Sequence, residues 1–295
     1  MSPTPPQINP ASLPRVSVVV PVKDTPPELL LAAVRSVVDQ DTEELLEIVV
    51  HDDGSTDPST VATVRDLPDL STPCRVVRVG RSSRNAGISA ARNLACRAAR
   101  GEWFLWLDSD DMLPSDAVRV LRSAAGTRPK LVLGACRVLL PDGSTIVHRS
   151  KPFLQDWRTL RRRLDDPLLG AVFAVHGGLV HQSLVAAVGG FDESLRYAEL
   201  TDFVLRVVGG LRPDQVGHVD RPTYVYRRRA GSHSADRDAL ERARRDVLRR
   251  YGLTAGLRTR AGFRERCTAT GARLYDVRLS DSAVGALPVV PAQSP

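Results

Sequence analysis

Four short apolar runs, each followed by a turn, constrain the fold of this chain more than any other sequence feature. They are Arg15–Pro21, Leu45–Val50, Arg75–Val79 and Trp103–Leu107. β-Branched or aromatic residues recur in them, as is typical of buried strands. Stretches with helical periodicity separate most of these runs, and strands alternating with helices form βαβ units in a mostly parallel sheet. The sequence therefore predicts a Rossmann-like α/β fold over the first half of the chain.

Three carboxylates follow the apolar run Trp103–Leu107 at once: Asp108, Asp110 and Asp111. An open α/β sheet binds its ligands at the carboxyl ends of its strands. Acids gathered there raise one another's pKa unless a cation or hydrogen-bond donors keep them ionised. A divalent metal held by Asp108 and Asp110 would meet this need. The alternative is that one or more of these acids, Asp111 above all, caps the following helix.

Acidic turns also follow the first two runs, at Asp24 and at Asp52 and Asp53. A carboxylate can accept hydrogen bonds from a ribose or from a pyrimidine imide N–H. A nucleotide would satisfy all three turns, with its base and ribose at the first two and its pyrophosphate, chelated through Mg²⁺ or Mn²⁺, at the third. The sequence contains no G-x-x-x-x-G-K-[ST], and no G-x-G-x-x-G follows the first strand, so a P-loop and the usual dinucleotide fingerprint are excluded.

The net charge of +7 comes from the C-terminal part of the chain. Fourteen arginines and five acids lie between Arg221 and Arg266. Such a cluster is either a solvated helix face or a surface for a membrane, a phosphate or a nucleic acid. Interleaved aromatic residues and a recognisable module for nucleic acid are missing, so we expect no nucleic-acid partner. A peripheral membrane contact or another anionic contact stays open.

The remaining composition predicts a cytoplasmic protein. The four cysteines form no C-x-x-C pair, which argues against a zinc site and for a reducing compartment. The first 14 residues lack the charged start and the apolar segment of a signal peptide, and they are predicted to be a disordered, proline-rich lead-in. The longest apolar run, around Leu168–Val175, is too short to cross a bilayer.

Five segments in order resemble the family 2 glycosyltransferases of the GT-A fold: VSVVVPVKD, IVVHDDGSTD, RNAGISAARNLA, GEWFLWLDSDDMLP and VGGFDESL. The resemblance extends from about Arg15 to Arg229. It implies metal-dependent, inverting transfer of a sugar from a nucleotide diphosphate donor, most readily a UDP-sugar, to a hydroxyl acceptor. The acceptor itself, whether a glycan, a lipid-linked saccharide or a small molecule, is not implied.

The resemblance also assigns roles to residues of this chain. Asp53 would contact uracil or ribose, and Pro21 and Asp24 would line the base pocket. Gly87 and Arg92 would shape the nucleotide pocket. The further roles that it implies are a DxD motif that binds Mn²⁺ or Mg²⁺ and the pyrophosphate (Asp108, Ser109, Asp110), basic residues at the diphosphate (Arg227, Arg229) and an additional metal ligand (His233, for which the alternative is a loop residue).

The catalytic base is where this sequence departs from the family. The base normally lies in a Glu-Asp pair shortly after the GGFDE-like segment, but Leu200 occupies the aspartate position here. Catalysis would then use Glu199 or Asp202, which are three residues apart on one helix face, or some other group. The alternative is that both acids only interact with the helix dipole. The second functional hypothesis is accordingly a catalytically degenerate nucleotide-sugar binding protein.

The expected domain organisation has three parts. Residues 15–234 form a GT-A domain with a nucleotide-sugar half (15–115) and an irregular acceptor half (116–234), and residues 235–295 form a basic helix and tail. Within the acceptor half, Asp142-Gly143 predicts the turn of a hairpin. His176 and His181 flank the segment where the family usually builds its acceptor site, and each is as compatible with a structural role as with a functional one.

Overall fold

The computed structural model describes residues 15–148, 175–229 and 236–251, together with the backbone of residues 263–267 and 273–277. The predicted lead-in (1–14), His233 and most of the predicted tail therefore lie outside the described residues.

The four predicted strands form the parallel part of a sheet. They are β1 (Val16–Val22), β2 (Leu46–Asp52), β3 (Arg75–Arg81) and β4 (Trp103–Trp106), and their order is β3-β2-β1-β4. Every residue of β1, β2 and β4 is buried, which explains why these runs are apolar without alternation. Because parallel strands end at one edge, the acidic turns after β1, β2 and β4 converge there.

Seven helices lie within the described residues: α1 (Pro27–Val38), α2 (Pro58–Asp66), α3 (Ile88–Ala98), α4 (Ala117–Ala124), α5 (Gln182–Val188), α6 (Glu199–Gly209) and α7 (Arg237–Arg250). Short 3₁₀ turns occur at Leu67–Leu70 and Pro213–Gln215. At the start of α2 the Asp57 carboxylate accepts a hydrogen bond from the Thr60 N–H over 2.8 Å. None of these helices is long and apolar enough to cross a membrane.

The second half of the chain extends the same sheet. It adds β5 (Leu131–Leu139), β6 (Thr145–His148), β7 (Leu179–His181) and β8 (Val216–Arg227). Strand β7 lies antiparallel between β4 and β5, and β8 pairs in parallel with β5. The predicted hairpin is present, since β5 and β6 are antiparallel and Gly143 has a φ of 79°. The eight strands form one mixed sheet, and β9 (Phe263–Cys267) and β10 (Arg273–Val277) pair separately.

Two apolar clusters pack against this sheet. One contains Val18 and Leu30, and the other contains Trp106, Phe191 and Phe203. In the second cluster the Trp106 ring meets Phe191 and Phe203 edge to face, with centroid distances of 5.3 and 5.1 Å. This second cluster also takes up the apolar face of α6, and it thereby fixes the direction in which the acids of that helix point.

Candidate active site

A buried guanidinium joins the carboxylates of two distant segments. Arg92 on α3 is 1% exposed, and it donates through Nη2 to Asp108 Oδ1 at 2.8 Å and through Nη1 to Glu199 Oε1 at 2.7 Å. Burial alone would lower the pKa of Arg92, but the charges of Asp108 and Glu199 outweigh burial and raise it. Arg92 therefore stays charged and places the acid after β4 beside the first acid of α6.

The second acid of the DxD motif has a different cation beside it. Asp110 Oδ2 accepts from Arg229 Nε at 2.8 Å. Burial and the neighbouring charge of Asp108 nevertheless raise the pKa of Asp110 above its ordinary value. Ser109, which lies between the two acids of the motif, is buried. Its hydroxyl oxygen lies 2.6 Å from the hydroxyl oxygen of Thr25. Thr25 thus holds the serine of the motif, while Asp108 pairs with Arg92 and Asp110 pairs with Arg229.

The third carboxylate, Asp111, connects the motif to β8. Its Oδ2 accepts from the Tyr224 hydroxyl and its Oδ1 from the Arg227 backbone N–H, both at 2.7 Å. Asp111 is 1% exposed, and burial together with the charges of Asp108 and Asp110 raises its pKa well above the usual range. Its contacts are with β8 rather than with the start of α4, so Asp111 is a structural link and not a helix cap.

Two aromatic side chains lie against Asp108: Tyr224, which was not identified from the sequence, and His176. The Tyr224 hydroxyl accepts from the Asp108 backbone N–H over 3.2 Å. His176 Nδ1 lies 3.6 Å from Asp108 Oδ2 and 3.4 Å from the Tyr224 hydroxyl. Burial lowers the pKa of His176. The glycine-flanked position of His176 marked it only as a candidate, whereas His181 lies elsewhere, beside Ser183 and Glu102.

The turns after β1 and β2 are held by their own acids. Asp24 has a φ of 45°, and its Oδ1 accepts from the backbone N–H groups of Thr56 and Asp57 at 2.7 and 2.9 Å. Hydrogen bonds from the Asp57 N–H and from Lys23 are the main causes that lower the pKa of Asp24 to about 2. Asp24 thus ties the end of β1 to the turn after β2, and Pro21 lies within β1 in register with His51.

Asp53 fixes the loop that leads into α3. It is buried, and its two oxygens accept from the backbone N–H groups of Ala86 and Gly87, each at 2.8 Å. Gly87 has a φ of 101°, which favours glycine, and a Cβ at this position would meet no atom within 4 Å. Asp53 and Gly87 are therefore partners in one loop that faces open space.

The structure separates the two candidate bases. Asp202 is buried, and its Oδ1 accepts from the Tyr251 hydroxyl at 2.6 Å while its Oδ2 accepts from Arg206 Nε at 2.8 Å. Glu199 instead faces Arg92 and, through it, Asp108. The prediction that either acid could reach the same pocket does not fit these contacts, because each Asp202 oxygen already accepts a hydrogen bond from another side chain.

Leu200 has a core role. It is 4% exposed and belongs to the second apolar cluster with Phe203 and Val204. An aspartate at this position would place a carboxylate among apolar side chains, at a considerable free-energy cost. The acid-bearing face of the first turn of α6 thus begins at Glu199.

The remaining basic candidates differ in position. The Arg227 guanidinium contacts Met112 Sδ at 3.2 Å, whereas Arg229 contacts the DxD motif directly. Among the described residues, the guanidinium of Arg229 pairs with an acid of the motif, Asp110, and that of Arg227 does not.

The donor set after β4 fits a hard divalent cation. Across residues 15–148, 175–229 and 236–251, no three His, Cys, Asp or Glu side chains are arranged to hold a metal. Mg²⁺ is commonly bound by one or two carboxylates together with substrate phosphates. Burial first, and then the charges of neighbouring acids, raise the pKa values of Asp110 and Asp111. The carboxylates of Asp108 and Asp110 are of the oxygen type that Mn²⁺ or Mg²⁺ would take as one or two ligands beside substrate phosphates.

Similar proteins share both the sequence pattern and the fold. Uncharacterized protein y4gI of Sinorhizobium fredii is 30% identical over 251 residues, which cover 82% of this chain and 26% of that protein. O-antigen biosynthesis protein RfbC of Myxococcus xanthus is 30% identical over 233 residues, covering 77% of this chain and 17% of that protein. The chain thus spans about a quarter or less of the length of these two relatives.

Solved structures show the same architecture. A crystal structure of S. aureus TarS 1-349 in complex with UDP-GlcNAc has a TM-score of 0.59 at 19% identity, over 79% of this chain and 65% of that chain. This likeness concerns the fold alone, and it confirms the predicted GT-A-type α/β class.

The family model described as Glycosyl transferase family 2 matches residues 17–188, which include strands β2 to β7, nearly all of β1, and Asp108 and Asp110. The resemblance noted from the sequence is thereby confirmed, and the chain belongs to glycosyl transferase family 2.

Proposed function

We propose that the chain transfers a sugar from a nucleotide diphosphate donor, a UDP-sugar, to a hydroxyl acceptor. The observation that carries this proposal is the Arg92 bridge. One guanidinium holds both Asp108, a candidate ligand of metal and diphosphate, and Glu199, a candidate base. The departure of the diphosphate at Asp108 and the transfer of the acceptor proton to Glu199 would thus take place at neighbouring groups. The UDP-GlcNAc complex of TarS supports a UDP-sugar as the donor.

In this proposal the donor lies along the carboxyl edge of β1, β2 and β4. The loops held by Asp24 and Asp53 would receive the base and ribose, and the diphosphate would lie at Asp108, Asp110 and Arg229. When bound by Asp108 and Asp110, Mn²⁺ or Mg²⁺ would neutralise the negative charge that develops on the leaving diphosphate. Arg229 could then pair with a phosphate oxygen, since its guanidinium already reaches this position.

Glu199 is our candidate for the base. The acceptor oxygen would attack the anomeric carbon as the bond to the diphosphate breaks, and the hydroxyl proton would pass to the Glu199 carboxylate. Attack from the side opposite to the diphosphate inverts the configuration. Arg92 bonds Oε1, which leaves Oε2 without a hydrogen-bond partner among the described residues. Asp202 lacks such an oxygen because Tyr251 and Arg206 occupy both of its oxygens.

The acceptor is proposed only as a hydroxyl. The name of RfbC, an O-antigen biosynthesis protein, supports a saccharide hydroxyl. Helix α7 exposes Arg242, Arg245 and Arg249, and this face would suit the peripheral anionic contact considered above, for example with an anionic lipid surface.

We expect Asp53→Ala to weaken UDP binding by about 1–3 kcal/mol, because it strands two loop N–H groups. The carboxylate holds the Ala86 and Gly87 amides, so its loss would release the loop in front of α3. Isothermal titration calorimetry with UDP and Mn²⁺ measures the effect. Asp69→Ala, which removes an exposed acid from the 3₁₀ turn, is the matched control. An unchanged affinity in Asp53→Ala would show that this loop does not form the base pocket.

A screen of UDP-, GDP- and dTDP-sugars for release of the nucleoside diphosphate tests the proposed function. We expect UDP release that requires Mn²⁺ or Mg²⁺ and that exceeds the hydrolysis measured without acceptor. Metal-dependent UDP-sugar binding without turnover on any acceptor would support the degenerate binding protein instead. A lack of binding to every nucleotide sugar would contradict both hypotheses.

A further inference from the structure

The C-terminal helix α7 contacts the segment that carries the candidate base, although α7 lies beyond the family-matched residues 17–188. Tyr251, which follows α7, donates its hydroxyl proton to Asp202 Oδ1 at 2.6 Å. Arg250 contacts Asp192 at 3.0 Å. Leu248 is buried in the second apolar cluster together with Leu200 of α6. The end of α7 is therefore attached to α6 by both a polar and an apolar contact.

The polar contact continues into the segment before α6. Arg206 contacts the other oxygen of Asp202 and donates through Nη1 to the backbone carbonyls of Val188 and Gly190, at 2.5 and 2.7 Å. Asp202 is thus the junction of α6, α7 and the end of α5. Because both carboxylate oxygens of Asp202 have a partner, the first turn of α6 is tied to the end of α7 and, through Arg206, to the end of α5.

Glu199 depends on this turn for its position. The Asp202 N–H donates to the Ala198 carbonyl at 3.0 Å and closes the first turn of α6. Ala198 has a φ of 60°, which is uncommon for a residue with a Cβ and which persists only when the surroundings enforce it. Glu199 is the next residue. A shift of this turn would move the Glu199 carboxylate relative to Arg92 and Asp108.

We infer that Tyr251 is a positioning residue for the transfer reaction and that it acts on Glu199 through Asp202. This inference rests on the proposed function, because it assigns a role to Tyr251 only if Glu199 is the base. Helix α7 and the residue that follows it are then a required part of the active site.

Tyr251→Phe tests the inference, since it removes only the hydroxyl and keeps the ring. We expect kcat to fall about tenfold, as a misplaced catalytic group typically costs up to 10²-fold. The KM for the donor and the Kd for UDP should change less than about twofold, because the nucleotide-binding loops are elsewhere. The control is Arg249→Ala, an exposed residue at the end of α7 that pairs with Asp246, and it should retain the parental kcat.

A double-mutant cycle separates positioning from general structural damage. In a Glu199→Gln background, Tyr251→Phe should lower kcat by less than about twofold, because the group on which it acts is already gone. An equal loss in both backgrounds, or a parental kcat in Tyr251→Phe alone, would overturn the inference. A lower thermal stability of Tyr251→Phe does not affect this comparison, because the same Tyr251 substitution is present in both backgrounds.

Hydrogen exchange of the Asp202 amide gives a readout that needs no turnover. We expect about tenfold faster exchange in Tyr251→Phe than in the parent or in Arg249→Ala, because the first turn of α6 opens more often. The parent and all variants could fail to transfer sugar while the Asp202 amide still exchanges faster in Tyr251→Phe. In that case the proposed function fails, but the structural link from Tyr251 to α6 is confirmed. Unchanged exchange would refute that link.

Discussion

Replacing Glu199 with glutamine is expected to lower kcat by about 10²-fold or more, because an amide cannot take the proton of the acceptor hydroxyl. The affinity for UDP should be nearly unchanged, since a general base acts in the transition state and not on the bound nucleotide. Glutamine keeps the size of the side chain, and its carbonyl oxygen can still accept from Arg92 Nη1. Steady-state kinetics and calorimetry on the same preparation measure the two effects.

Two further variants decide whether the effect belongs to this position. Glu102→Gln changes a half-exposed glutamate just before β4, at the opposite end of the strand from Asp108, and should retain the parental kcat. Asp202→Asn should lower the thermal stability and also lower kcat by about as much as Tyr251→Phe, because it weakens the contacts with Arg206 and Tyr251 that hold the first turn of α6. Loss of turnover in a stably folded Asp202→Asn, together with parental turnover in Glu199→Gln, would reverse the assignment of the base.

The sheet and the acidic edge could be predicted because they follow from local patterns. The buried runs β1, β2 and β4 contain few polar residues, and each ends in a turn with aspartates. Parallel pairing then brings the turns together without further information. The hairpin between β5 and β6 was also predictable, since Asp142-Gly143 favours a tight turn.

The roles of individual acids could not be predicted in the same way, because they depend on contacts between distant residues. Arg92 and Glu199 are 107 positions apart, and Asp111 and Tyr224 are 113 positions apart. A pattern within one short segment of the sequence contains no information about such distant pairs. The sequence alone therefore predicted an acidic edge and singled out Asp108 and Asp110 as candidate ligands, but it did not reveal that Asp111 bonds to β8.

The buried side chain of Leu200, by contrast, follows from helical periodicity. Leu200, Phe203, Val204 and Val207 recur at the spacing of one apolar helix face, and all four are buried in the second cluster. A comparison by motif position alone suggested that an aspartate had been lost from the site. The spacing shows instead that this position faces the core and that Glu199 begins the polar face.

Replacing Asp110 with alanine is expected to abolish the metal-dependent part of UDP binding. A hard cation would lose one of its two carboxylate ligands, and Mg²⁺ or Mn²⁺ held by few protein groups tolerates such a loss poorly. The change also removes the carboxylate with which Arg229 pairs. The diphosphate would then keep its charge without a bound ion, so we expect the affinity measured in Mn²⁺ to fall to the value measured in EDTA.

Asp116→Ala is the matched control for this loss, because Asp116 lies six residues further on and pairs with Arg221 at 2.6 Å, outside the DxD motif. It removes one negative charge near the same edge, so a general electrostatic effect on a divalent ion would appear in both variants. A loss confined to Asp110→Ala would instead identify direct ligation. If the parent bound UDP equally well in Mn²⁺ and in EDTA, Asp108 and Asp110 would not be metal ligands. Arg92 and Arg229 would then be left as the charges that hold the diphosphate.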